Sequence, residues 1–254
     1  MEVSPRLFLW LKSMLKLNET EIIQQAYTLV EADTTDWSTS SDEYLAARRF
    51  ANAAVNKWES AVIELEGSQI PVRWRELWTT LTEASDGTKT TSSSVYSYSC
   101  PSNFARPSSY VRLVDSSGNV MVYDVKQAEA TALLDRSFEN WCYFRGNSKD
   151  GFTLHFNPNL TIPSGSTIRY EYYKNATTFT ATDSKSEIPD DYMIVHFIVA
   201  MFYKDEDPAT YKTHMDIANT KLNQMIADNQ SGLYAVDDKI PETLSGEDQE
   251  GFGY

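Results

Sequence analysis

Residues 188–207, IPDDYMIVHFIVAMFYKDED, set an apolar run between acids in a chain whose net charge is −14. From Met193 to Tyr203 only His196 is neither aliphatic nor aromatic; Asp190 and Asp191 precede the run, and Asp205, Glu206 and Asp207 follow it. A membrane span needs ~20 such residues, so the run is too short to be one. Proline tolerates the first helical turn, and acids there meet the positive end of the helix dipole, so Pro189 with its two aspartates marks a helix start. Tyr192, Val195, Val199 and Phe202 form one stripe, which Ile194, Phe197, Ile198 and Met201 widen to nearly the whole circumference. A helix apolar all round is buried all round. Asp207-Pro208 then breaks the pattern, and Tyr211, Met215, Ala218, Leu222 and Met225 resume it on one face only. The expected unit is a helical hairpin whose first arm is central.

That arm needs neighbours, and the front of the chain supplies candidates. Residues 7 to about 66 read as helical. Asn18 stands three positions before Glu21, an N-cap followed by an acid in the first turn. Ile22, Ile23, Ala26, Leu29 and Val30 share a face of that helix. After DTTDWSTSSD, a second helix runs from Asp42, with Ala47, Ala51, Ala54, Trp58, Ala61 or Val62, and Leu65 at spacings of three and four, until Gly67 stops it. Small alanines let a partner helix approach closely, and Trp58 fills a wider gap. Ala47, Ala51, Ala54 and Trp58 are therefore expected to form one bundle core with Tyr192, Val195, Val199 and Phe202.

Between the helical ends the composition changes to Ser, Thr, Gly and alternating β-branched and aromatic residues. YVRLVD, SSGN and VMVYDV read as two strands about a turn, and GFTLHFNP and STIRYEYYK as two more. Pro158 and Pro163 keep the intervening loop out of the ladder, and KQAEATALLDR fits one short helix. The expected class is α+β. Helices of residues 1–69 and 188–230 form a bundle, residues 70–187 an inserted antiparallel β domain (a sandwich or small barrel), and residues 231–254 an extended acidic arm. The arm ends in Phe252 and Tyr254, anchors suited to docking on a partner.

Composition narrows the function. With 22 basic against 36 acidic residues, the chain lacks the clustered cations of a DNA-gripping protein. RLFLWLKSML is interrupted by Lys12 and followed by no small-residue cleavage site, so no secretory signal is expected. Tyrosine and tryptophan, at 15 and 6 residues, suit interfaces. Cys100 and Cys142 have no C-x-x-C context and read as free thiols. His155, His196 and His214 have no ligand at metal spacing, and no nucleophile elbow, P-loop or dinucleotide fingerprint occurs. No cofactor and no catalytic residue is therefore assigned. Asp190/Asp191 and Asp205/Glu206/Asp207 are the obvious acid pairs for hydrolysis, but helix boundaries account for both. Arg48-Arg49 and Arg73/Arg75 around Trp74 fit salt bridges within or between subunits.

The order of parts resembles the head-to-tail adaptor (connector) proteins of tailed bacteriophages, in particular the short-tailed phages. The resemblance rests on YLAARRFANAAVNKWES, FTLHFNPNLTIPSGSTIRYEYYK, SEIPDDYMIVHFIVAMFYKDED and YKTHMDIANTKLNQMIADNQ, in that order and spacing. It implies a helical bundle carrying a β domain, a dodecameric ring of self-contacts, and a virion location at the head–tail junction after synthesis in the host cytoplasm. It also implies a portal protein above, a tail tube or nozzle protein below, and a channel through which DNA passes without specific binding. It implies no enzyme and no membrane. A negatively charged lumen suits sliding DNA. A tail-associated carbohydrate-binding module is the alternative, and a small hydrolase with acids assembled by folding is a more distant one.

Overall fold

The computed structural model describes residues 16–30, 38–65, 67–81, 89–127 and 138–237, the last six in backbone only. The fold is mixed α+β, and the chain divides into two compact units. One comprises Met1–Ala54, Phe179–Ser184 and Pro189–Tyr254; the other comprises Val55–Thr178 and Lys185–Ile188.

In the helical unit, α1 (Glu19–Leu29) opens with a reciprocal cap. The Asn18 side chain accepts from the Glu21 N–H at 2.9 Å, and the Glu21 carboxylate accepts from the Asn18 N–H at 2.9 Å. Two orphan donors are thereby satisfied. Ile22, Ile23, Ala26 and Tyr27 are buried, whereas Leu29, expected on that face, is exposed. Helix α2 spans Asp42–Glu59, and its residues Tyr44, Ala47, Ala51 and Ala54 are fully buried. Helix α3 (Tyr192–Tyr203) packs against α1 and against α4 (Pro208–Asp237). Seven of its residues, from Met193 to Ala200 with the exception of His196, are buried. Phe202 packs edge-on against Tyr27 at 5.4 Å and Phe50 at 5.5 Å, so α1, α2 and α3 meet there. Asp207 caps α4 through the Ala209 and Thr210 N–H groups, with Pro208 at the first helical position. The acidic arm expected from residue 231 is corrected at its start: Ser231 to Asp237 continue α4, and residues 238–254 lie outside the described residues.

The sheet unit begins inside α2. Ser60 Oγ donates back to the Asn56 carbonyl at 2.7 Å. The β-branched pair Val62-Ile63 then enters a strand, which such residues favour over a helix. Strands β1 (Val62–Leu65) and β2 (Ser68–Pro71) pair as a hairpin about Gly67, whose φ is +79°. The helix expected to reach Gly67 thus ends at Glu59, and that glycine serves a strand turn instead. A three-residue 3-10 turn leads into β3 (Trp78–Thr80); β4 (Lys89–Thr90), β5 (Ser97–Ser99), β6 (Phe104–Pro107), β7 (Tyr110–Val114), β8 (Val120–Val125), β9 (Trp141–Asn147), β10 (Gly151–Phe156), β11 (Thr167–Arg169) and β12 (Glu171–Lys174) follow.

Seven of these form one sheet in the order β4-β11-β7-β8-β9-β10-β5, and β3-β12-β6 form a second. The β7–β8 hairpin turns on Asp115, whose Oδ1 accepts from the Ser117 and Asn119 N–H groups, and on Gly118 at φ +86°. The unit is not wholly antiparallel: β8 and β9 run parallel, with Asp124 opposite Trp141 and Val125 opposite Cys142. STIRYEYYK also divides at Tyr170, its first half entering the larger sheet and its second half the smaller. Both sheets contribute to one core in which Phe104 stacks on Phe144 at 5.0 Å and on Tyr172 at 5.4 Å. Cys100 and Cys142 are buried free thiols. The short helix expected over KQAEATALLDR falls largely on residues 128–137, outside those described.

Candidate assembly surfaces

The acid pair before α3 is bound into the helical unit rather than held open for chemistry. Asp191 is buried and accepts from the Leu17 N–H at 2.8 Å and from Lys16 Nζ at 3.2 Å. Asp190 accepts from the Tyr192 N–H at 3.0 Å and from Lys221 Nζ on α4 at 2.6 Å. Two adjacent carboxylates therefore fasten the chain before α1, the start of α3 and the middle of α4. A second clamp joins α1 to α2, where Arg48 Nε donates to fully buried Glu19 at 2.6 Å. That hydrogen bond to Glu19 holds the Arg48 guanidinium above its ordinary range.

Between α3 and α4 the Nδ1 atoms of His196 and His214 lie 2.9 Å apart, so one ring donates and the other accepts. Burial lowers the pKa of both, and the His214 and Lys221 charges lower that of His196 further against an opposing pull from Asp190. His155 stacks on Tyr143 in the sheet unit at 4.8 Å. Among the described residues no group of His, Cys, Asp and Glu is placed to hold a metal ion.

The residues expected to make one core are distributed differently. Ala47, Ala51, Ala54, Val195 and Val199 are buried in the helical unit, and Phe202 is half-buried there. Tyr192 departs from that expectation: it is 36% exposed, with Lys221 Nζ 5.5 Å from its ring centroid. Trp58 is fully buried in the sheet unit, stacked on Trp74 at 4.7 Å and accepting at its carbonyl from Trp74 Nε1 at 2.8 Å. Trp74 thus turns inward between Arg73 and Arg75. Phe252 and Tyr254 lie outside the described residues.

Among the described residues, exposed apolar surface with no covering element lies in the sheet unit. On the β1–β2 hairpin Ile63 faces Ile70 across the pair, with Leu65 on the same side by alternation, and Val62, Leu65 and Ile70 are exposed. A lone two-stranded hairpin is marginal in water. On β7–β8 the pairs Tyr110–Asp124, Arg112–Val122 and Val114–Val120 share one face, on which Tyr110 and Val122 are each 47% exposed and Val120 is 55% exposed. At the opposite parity Val111, Leu113 and Tyr123 are buried, whereas Met121 is exposed. The sequence reading marks no such outer face, although VMVYDV carries its signal: it is apolar at both parities, where a half-solvated strand alternates.

No helix among the described residues is long and apolar enough to cross a membrane. The family model described as "SU10 adaptor protein" matches residues 18–237, spanning both units. No curated protein matches the chain. The chain belongs to the SU10 adaptor protein family, and the match supports a phage head-to-tail adaptor.

Proposed function

We propose that this SU10 adaptor family member is a virion structural protein that assembles as a ring between the portal and the tail. The observation that carries this reading is the family match over residues 18–237, which takes in the helical and the sheet unit together. The ring is dodecameric and of the short-tailed-phage type, with the portal protein above it and a tail tube or nozzle protein below. The genome leaves through its channel, and the net charge of −14 per copy keeps the duplex from adhering. Each copy is a virion component at the head–tail junction and acts without catalysis. Phe252 and Tyr254 dock on the portal or on a neighbouring copy. The exposed apolar strands of the sheet unit support the reading, because patches of that kind mark sites of protein association.

Sedimentation velocity on the purified chain, alone and with a portal ring from the same virus, tests the proposal. A portal complex heavier by about twelve subunits is expected. A chain that ignores the portal at micromolar concentration would remove the adaptor reading.

A further inference from the structure

Arg112 on β7 and Arg169 on β11 are register partners, so their side chains leave the larger sheet on the same face. Like charges directly opposite on neighbouring strands repel, and the local neutralisation is incomplete. Glu171 reaches Arg112 Nη2 only at 3.4 Å, and Arg112 Nε is buried with no hydrogen-bond partner among the described residues. Arg169 is exposed and meets no acid among the described residues. With Thr80, Leu81 and Tyr170 these three charged residues line a cavity of about 310 Å³. The apolar surface of β8 begins beside it, since Val122 is the register partner of Arg112 on the other side.

A guanidinium presents a planar fork of donors that fits a carboxylate, and two of them fix its position. The cavity thus suits an acidic side chain, and the adjoining Tyr110 and Val122 suit an aromatic one a few residues along. Residues 245–254, SGEDQEGFGY, have that composition: three acids, no basic residue and two aromatics. We infer that the Arg112–Arg169 cavity receives a carboxylate from residues 247–250 of a second copy of this chain, with Phe252 and Tyr254 laid against the outer face of β7–β8. This rests on the ring reading, because a ring needs a surface and a different, complementary surface on every copy.

The test uses the full chain carrying Glu247→Gln, Asp248→Asn and Glu250→Gln, so that its own segment does not compete. A fluorescein-labelled peptide of residues 245–254 is titrated against it and followed by anisotropy. Saturable binding that weakens as salt rises is expected. Adding Arg112→Met and Arg169→Met should weaken it by roughly tenfold or more. As a control against misfolding, the exposed Arg169→Glu change alone should lose the native peptide and regain one whose acids are replaced by lysine. No binding, or binding indifferent to both arginines, would overturn the inference. Peptide binding by a chain whose unaltered form builds no ring with the portal would sink the ring reading while leaving the docking site in place.

Discussion

The two units dispose of their apolar residues in opposite ways. In the helical unit α3 is apolar nearly all round, and α1 and α4 cover it, leaving Tyr192 as the exposed apolar residue of its first turn. In the sheet unit β8 is apolar at both parities, and among the described residues Val120 and Val122 on its outer side are exposed while Tyr123 on the other is buried. The first arrangement closes a unit on itself. The second leaves area whose burial would return ~25 cal/mol per Å² once another surface meets it. Substitutions in the helical unit should therefore be read in stability, and those on the outer sheet face in association.

Trp58→Ala should give the largest change. It empties a fully buried site stacked on Trp74 and should cost ~3–5 kcal/mol, read as a lower urea midpoint. It also sharpens the contrast, because Trp58 lies in the sheet unit and is nevertheless fully buried there. Asp191→Ala comes next. It leaves the Leu17 N–H without its buried acceptor and removes the Lys16 pair, at ~1–3 kcal/mol. Equal midpoints for Asp191→Ala and the unchanged chain would show that the N-terminal clamp is dispensable.

Acid should act on the helical unit through His196 and His214. Their folded pKa values lie below the ordinary 6.5, so the unfolded chain binds protons more readily. The stabilisation is then complete above the unfolded value and is lost as pH falls through it towards the folded values. The urea midpoint should fall between about pH 7.5 and about pH 5.5, and His214→Asn should flatten that slope. The smallest stability effect belongs to Val122→Thr on the outer face, within ~0.5 kcal/mol. The same change should impair ring formation in sedimentation. A Val122→Thr chain that assembled normally would break the distinction between the units.

What could be read from the sequence was local. The capping box lies within four residues, α3 within one apolar run, and the β7–β8 hairpin around one SSGN turn. The parallel β8–β9 link and the three-stranded sheet depend on strands of three to seven residues finding distant partners, which periodicity cannot express. Trp58 has the spacing of a helix-face residue, yet its partner Trp74 stands 16 positions on, beyond the helix. Arg112 and Arg169 are ordinary surface arginines until the β7–β11 register sets them opposite. A docking site built from register is invisible to motif reading for that reason.

The bond between the Leu17 N–H and Asp191 spans 174 positions. At the 5–20 residues per second of protein synthesis, the partner follows on the order of ten to thirty seconds later. Residues 55–178 emerge within that interval and contain all three sheets of the described residues. On the ribosome, the start of the helical unit is therefore made first and locked last, while the unit bearing the open face can finish ahead of it.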